Sequence, residues 1–293
     1  MQYKALSICC GALLGTSIAA LQVDCGEMPL HLRRRQQMME YVAKIQSIPD
    51  HPTQDILKAG KRRRLKEGRE EIRVKVAEVN REILQPVINS EKVPAQPPWT
   101  LKPPVIETSL RNLSRSPDNL QMTKRTIEEH LQAHSAKLEV YTDGSRTDDG
   151  RASCSFYAPS MAYHKSYRLS DNTSIHAAEM MAIKAALEWA TSVDHNALVI
   201  YSDSLGVLQA IEQRQSFTRP ILLRDLLSAH EMYSRDRQAV ATFVWIPAHL
   251  GIEGNEHADT LAKSALNRAT VEMSLNLEYG KARTIYRDHF LRK

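Results

Sequence analysis

Leu138-Glu139-Val140-Tyr141-Thr142-Asp143-Gly144-Ser145 decides the fold. A run of β-branched, aromatic and aliphatic residues stops at an aspartate, and a glycine behind it lets the backbone turn. The pattern predicts a strand over Leu138–Asp143. Downstream, Asp148-Asp149-Gly150 is a turn signal, and Ala152–Ala158 and Ala162–Leu169 complete an antiparallel meander. Thr173 or Ser174 can cap a helix reaching about Ala190, and Ala197–Tyr201 is the short, continuous apolar run of a buried parallel strand. Ser204 caps a short helix to about Gln213, and a longer helix follows Pro220 to about Ser234. Val240–Ile246 is the fifth strand, and Asn255 caps a last helix to about Ala269. The order βββ-α-β-α-α-β-α describes an α/β domain with one mixed sheet and helices on its faces.

Topology then brings acids together. Two reversals make the third strand parallel to the first, and helical crossovers make strands four and five parallel to it as well. Their C-terminal ends share one edge, where open α/β sheets bind ligands. Asp143 ends the first strand and Asp203 the fourth, within Tyr201-Ser202-Asp203-Ser204. Glu179 lies in the second turn of the first helix, on a stripe with Ile175, Ala182, Ile183 and Ala186. Asp259 lies one turn into the last helix, and His249 in the loop that feeds it. Taken singly, each acid reads as a turn residue, a helix-start hydrogen-bonder, an ion-pair partner or a helix-dipole acid, and His249 as a loop hydrogen-bonder. Taken together, four carboxylates at one edge repel and raise one another's pKa unless a cation lies among them. Hard oxygen donors, with no Cys or His at ligand spacing, suit Mg²⁺ or Mn²⁺.

Around this domain the 293-residue chain has a globular composition, 42% hydrophobic and 25% charged. A net charge of +5 is compatible with a polyanionic partner and equally with a basic surface that binds nothing. Cys9, Cys10, Cys25 and Cys154 show neither zinc-ligand spacing nor a disulfide framework, as in a reducing compartment. Residues 1–85 read as mostly helical, with Arg33-Arg34-Arg35 in a helix over Leu30–Ile45 and Lys61-Arg62-Arg63-Arg64 in a second helix over Ile56–Leu84. Such runs are ordinarily solvated helix faces. The apolar stretch Ala5–Val23 has the look of a signal peptide; a buried helix interrupted by Gly11 and Gly15 is the reading favoured two to one, roughly, because a secreted protein has no need of the basic helical segment that follows. Residues 86–136 are a linker broken by Pro86, Pro94, Pro97, Pro98, Pro103, Pro104 and Pro117, closing with a short helix over Gln121–His134. Residues 137–270 are the main domain, and 271–293 a tail with a helix over Lys281–Leu291.

The main domain resembles the ribonuclease H type 1 family. The likeness rests on Tyr141-Thr142-Asp143-Gly144-Ser145, Ala177-Ala178-Glu179, Tyr201-Ser202-Asp203-Ser204, and the run from Pro247-Ala248-His249-Leu250-Gly251 through Asn255-Glu256-His257-Ala258-Asp259. The ordered set is specific where each piece alone is weak. The resemblance implies a five-stranded sheet in the order 3-2-1-4-5 and hydrolysis of the RNA strand of RNA–DNA hybrids. It implies metal-ligand roles for Asp143, Glu179, Asp203 and Asp259, holding two Mg²⁺ ions for which Mn²⁺ can substitute. His249 receives an auxiliary role in proton handling or product release. One departure is the lack of an extra basic helix between Gln213 and Pro220, the substrate-gripping protrusion of some members.

The N-terminal part resembles the segment following the polymerase domain in non-LTR retrotransposon proteins, on Ile8-Cys9-Cys10-Gly11-Ala12-Leu13, Ala19-Ala20-Leu21-Gln22-Val23 and Leu32-Arg33-Arg34-Arg35. No Tyr-X-Asp-Asp polymerase motif is present. That likeness implies the C-terminal piece of a reverse transcriptase-like protein, working inside the cell in cytoplasm or nucleus, with a polymerase domain as a partner on the parent protein and no membrane. Three rival readings are a catalytically silent hybrid-binding remnant, a DNA-cutting or strand-transfer enzyme on a similar sheet, and a secreted nuclease.

Overall fold

The computed structural model describes residues 2–13, 15–48, 50–54, 100–113, 120–195, 197–216, 220–239, 241–277 and 279–292. The expected helix over Ile56–Leu84 with its Lys61–Arg64 run, prolines 49, 86, 94, 97, 98 and 117, and Val240 at the start of the fifth strand lie outside the described residues. The chain divides into two compact units, one of Met1–Val93 with Asn276–Lys293, the other of Pro94–Leu275.

In the first unit, α1 (Gln2–Cys10), α2 (Ile18–Asp24) and α3 (Leu30–Ser47) are joined by α9 (Tyr279–Leu291). Met39 and Ala43 of α3 pack with Ala282, Tyr286 and Phe290 of α9 in a small core. The interruption expected at Gly11 and Gly15 is found, and the burial expected of Ala5–Val23 is corrected to a partial one. Gly11 (φ 60°) and Gly15 (φ 97°) adopt left-handed backbone, which ends α1 and splits the stretch in two. Leu6 and Leu21 are buried, while Ile8, Leu13 and Val23 are exposed. Among the described residues no helix is long and apolar enough to cross a membrane.

The second unit is built on one six-stranded mixed sheet: β1 (Val105–Glu107), β2 (Leu138–Arg146), β3 (Ala152–Ala158), β4 (Tyr163–Leu169), β5 (Leu198–Ser202) and β6 (Thr242–Trp245). The spatial order is β1-β6-β5-β2-β3-β4. β2, β3 and β4 form the antiparallel meander, and β5 and β6 continue parallel to β2. This is the expected five-strand order with one strand added. β1 extends the sheet beyond β6 in parallel, Val105 opposite Thr242 and Glu107 opposite Val244. The linker expectation is therefore corrected over residues 105–107. Pro103 and Pro104 cannot donate to a ladder but are tolerated ahead of an edge strand, and the β-branched Val105 and Ile106 then add to the open side of β6.

Helices α4 (Leu120–Gln132), α5 (Ile175–Thr191), α6 (Leu205–Gln213), α7 (Pro220–Arg237) and α8 (Glu253–Ala265) surround the sheet. The Ser174 hydroxyl accepts the Ala177 amide at 3.3 Å and caps α5, as the sequence predicts. Of the other two expected caps, Ser204 does stand at the N-cap of α6 and Asn255 does not stand at that of α8. Ser204 makes no side-chain cap bond. Asn255 lies inside α8, because the chain turns at Gly251 (φ 78°) and Ile252 is the N-cap, three residues earlier than the cap reading required. α8 also stops at Ala265 rather than near Ala269. It is held to β3 by Ser153 and Ser155, whose hydroxyls donate to the Ala262 and Ala258 carbonyls, each at 2.6 Å. The core runs through Val140, Phe156, Ile183, Leu208 and Phe243.

Candidate metal centre

Asp143 sits in β2 one residue past the paired Thr142–Ser202 register, with its side chain buried. The expected strand end at Asp143 is corrected: β2 runs on to Arg146, because Gly144, Ser145 and Arg146 stay paired with β3 after the pairing with β5 has stopped. The residue after Asp143 must be glycine. A Cβ on Gly144 would stand 2.7 Å from the Glu179 nitrogen and 2.9 Å from the Ala178 carbonyl carbon, so β2 and α5 touch backbone to backbone there. This close approach places Glu179, in the second turn of α5, beside Asp143, where its carboxylate accepts the Gly144 amide. Ala178, Ala182 and Ile183 are buried around it, but Ile175 is 47% exposed and does not belong to the expected stripe. Asp203 follows β5 directly. Its carbonyl accepts the Trp245 indole N–H at 3.0 Å, and its Oδ2 accepts the Asn255 amide at 3.5 Å.

One carboxylate oxygen each from Asp143, Glu179 and Asp203 lie within 4.8 Å of one another. Asp143 Oδ2 and Glu179 Oε2 are buried with no hydrogen-bond partner. Burial first, then the Asp203 and Asp259 carboxylates, push the Asp143 carboxyl up to about 8. Glu179 is raised well above the usual carboxylate range by burial and by Asp143, against the opposing Gly144 amide. Burial raises Asp203 too, while the Asn255 amide and His249 draw it back.

Asp259, in the second turn of α8, is not among the three carboxylates within 4.8 Å. Its Oδ2 is bonded to Lys263 Nζ at 2.6 Å, one turn along the helix surface. Its charge still reaches Asp143, Glu179 and Asp203. His249 is exposed in the loop before α8, in left-handed backbone (φ 58°). The chemistry of the cluster fits a hard divalent cation. Its donors are all oxygen, two are orphaned in a buried place, and their mutual repulsion needs positive charge.

Sequence reasoning did not find Trp245 as an anchor of Asp203, and it read Asn255 as a cap. A tryptophan at a strand end next to an aspartate-bearing strand end was the available signal. It also missed a second group. His130 and His134, at helical spacing, meet Glu107 within 4.8 Å, which corrects the statement that no histidine stands at ligand spacing.

Residues 135–267 match the family model described as RNase H. That match supports a ribonuclease H domain over this part of the chain. A search of curated proteins found no match.

Proposed function

We propose that the second unit hydrolyses the RNA strand of RNA–DNA hybrids, cutting within the strand and leaving a 3′-hydroxyl and a 5′-phosphate. The observation that carries this reading is the meeting of two buried carboxylates, each with an orphaned oxygen, and a half-buried third at the shared edge of parallel strands. Asp143, Glu179, Asp203 and Asp259 would hold two Mg²⁺ ions, with Mn²⁺ able to substitute. Such ions supply a water of lowered pKa and charge stabilisation for the leaving 3′ oxygen. Asp143 and Asp203, each one residue beyond the last pair between the adjacent strands β2 and β5, fix the centre of the site. Glu179, pinned by the Gly144 amide, faces the region of the ribose 2′-hydroxyl, the group by which RNA is told from DNA. His249, exposed at the loop and near enough to Asp203 to lower its pKa, takes up a proton or eases product departure. Lys263 holds Asp259 in reserve.

We further place the chain downstream of a polymerase domain in a retrotransposon-type protein, on the N-terminal likeness carried by residues 8–13, 19–23 and 32–35. The test of the activity is incubation of the full chain with end-labelled RNA–DNA hybrid and Mg²⁺, beside duplex DNA and beside the Asp143→Asn variant. Cleavage of the RNA strand alone, lost in the variant with its circular-dichroism spectrum unchanged, supports the reading. Equal turnover by the variant, or cutting of duplex DNA instead, overturns it. Tight hybrid binding with no cleavage in either metal identifies a silent binding module.

A further inference from the structure

We propose that Glu107, His130 and His134 form a second metal site, of the zinc class, that fastens the added edge strand to the domain. Glu107 ends β1, and His130 and His134 stand four residues apart in the last turns leading out of α4. Glu107 Oε2 lies 3.1 Å from His134 Nε2 and 3.6 Å from His130 Nε2. Two donors each about 2.0–2.1 Å from a tetrahedral Zn²⁺ stand about 3.3 Å apart, and the two observed spacings bracket that value. The His134 side chain is 9% exposed and that of His130 20% exposed.

A plain histidine–carboxylate hydrogen bond accounts for only half of this arrangement. It satisfies His134 Nε2 and leaves His130 Nε2 buried without a hydrogen bond, turned toward the same oxygen. The rings are 5.1 Å apart, so a proton on each imidazole would set two like charges against one another. A neutral imidazole is the state that binds metal. One cation satisfies both nitrogens and the carboxylate, and leaves a fourth position for water. Mixed nitrogen and oxygen donors select Zn²⁺ over Mg²⁺, which prefers all-oxygen shells.

The site has a structural task. β1 is three residues long at a sheet edge, with three register pairs to hold it. So short a strand contributes little stability by itself. A metal bridging Glu107 to α4 closes the chain from β1 across the intervening residues onto the domain.

The experiment uses the full chain, stripped of metal, in millimolar Mg²⁺ so that the carboxylates are occupied. Zn²⁺ is titrated against a chromophoric chelator, and Co²⁺ replaces it to read the visible absorption of a tetrahedral site. The result expected is one equivalent of Zn²⁺ that disappears, with the Co²⁺ band, in His130→Gln and in Glu107→Gln, and persists in Asp143→Asn. Zn²⁺ should also raise the thermal midpoint of the wild type and not of His130→Gln. His130 is the more exposed histidine, and matching circular dichroism of its variant shows that loss of binding is not loss of fold. Equal Zn²⁺ stoichiometry in wild type and both variants, absence of a tight equivalent in the wild type, or loss of the equivalent in Asp143→Asn alone overturns the proposal.

Discussion

The carboxylate cluster and the histidine cluster sit on one sheet, and each gathers three ligand-type groups within 4.8 Å. β1 and β2 are three strand spacings apart, about 14 Å. Between the clusters Tyr141 and Tyr201 stack at 4.8 Å, and Tyr201 lies beside His134 with ring centroids 6.4 Å apart. The electrostatics are opposite. At Asp143, Glu179 and Asp203 every group becomes an anion on losing its proton, and burial makes each resist that loss. At Glu107, His130 and His134 a single anion faces two bases that are neutral once deprotonated, so the metal-free state carries little repulsion. Proximity therefore does not define a reaction centre. Donor chemistry and the charge repulsion of the empty cluster do: the first cluster is assembled against its own repulsion, while the second leaves only buried imidazole nitrogens of His130 and His134 without a hydrogen bond.

The largest expected effect separates the two directly. Asp143→Asn should lower Mg²⁺-dependent hybrid cleavage by about a thousandfold or more, the scale of the several kcal/mol that metal charge stabilisation contributes. His130→Gln should leave cleavage at the wild-type rate. Single-turnover kinetics on both variants, followed by Zn²⁺ titration of both, makes a two-by-two comparison. Coupled losses would show that the clusters are one site.

A packing change should have the next largest effect. A methyl at Gly144 meets backbone atoms of α5 at 2.7 and 2.9 Å, and backbone cannot swing aside. Gly144→Ala should destabilise the chain by about 1–3 kcal/mol, as overpacking does, and should move Glu179 away from Asp143. Gly206, in the first turn of α6, is the control: its nearest neighbour is the His176 ring at 3.9 Å. Ala there should stabilise by roughly 0.5–1 kcal/mol, the usual gain for Gly to Ala within a helix. Urea denaturation of both variants reads the contrast.

The pH dependence of stability tests the repulsion itself. The folded-state pKa of Asp143, about 8, lies above its ordinary value of 3.8. Its stabilising contribution is therefore fully present below about pH 4 and is lost as pH rises through about 8. Asparagine has no such loss. In chelator, Asp143→Asn should match the wild type near pH 4 and exceed it by several kcal/mol near pH 9, at most about 6 for a shift of that size. Millimolar Mg²⁺ should shrink that gap. A gap independent of pH would mean the carboxyl is not held against its ionisation.

The two clusters also differ in how far the sequence revealed them. Asp143 lies in, and Asp203 directly follows, strands whose alternation and apolar runs are strong local signals, and Glu179 stands at a fixed offset from a cap that Ser174 does form. Five strands and their directions followed from these signals and from chain reversal rules, while their order across the sheet came with the family resemblance. β1 did not, because three residues after two prolines are too few to show a period. The histidine cluster depends on that same strand, so its third member was hidden although the spacing of His130 and His134 was in plain view. Asn255 was misplaced because capping residues in a polar helix start compete on equal local terms. Only the left-handed turn at Gly251 settles where α8 begins.

The smallest expected effect concerns the acid that stands apart. Asp259 has a side chain 21% exposed and is paired to Lys263, whose own side chain is 61% exposed. An exposed pair at this helical spacing contributes a few tenths of a kcal/mol, so Lys263→Met should barely change stability. If Asp259 belongs to the working site, Lys263 competes with metal for it. Freeing the carboxylate should then lower the Mg²⁺ concentration for half-maximal cleavage by about twofold, the equivalent of those few tenths. The measurement belongs above pH 8, where Asp143 is ionised in the metal-free chain. Asp259→Asn should move the same midpoint the other way. If neither substitution moves it, Asp259 contributes only field to the cluster, and three carboxylates suffice to hold the metal.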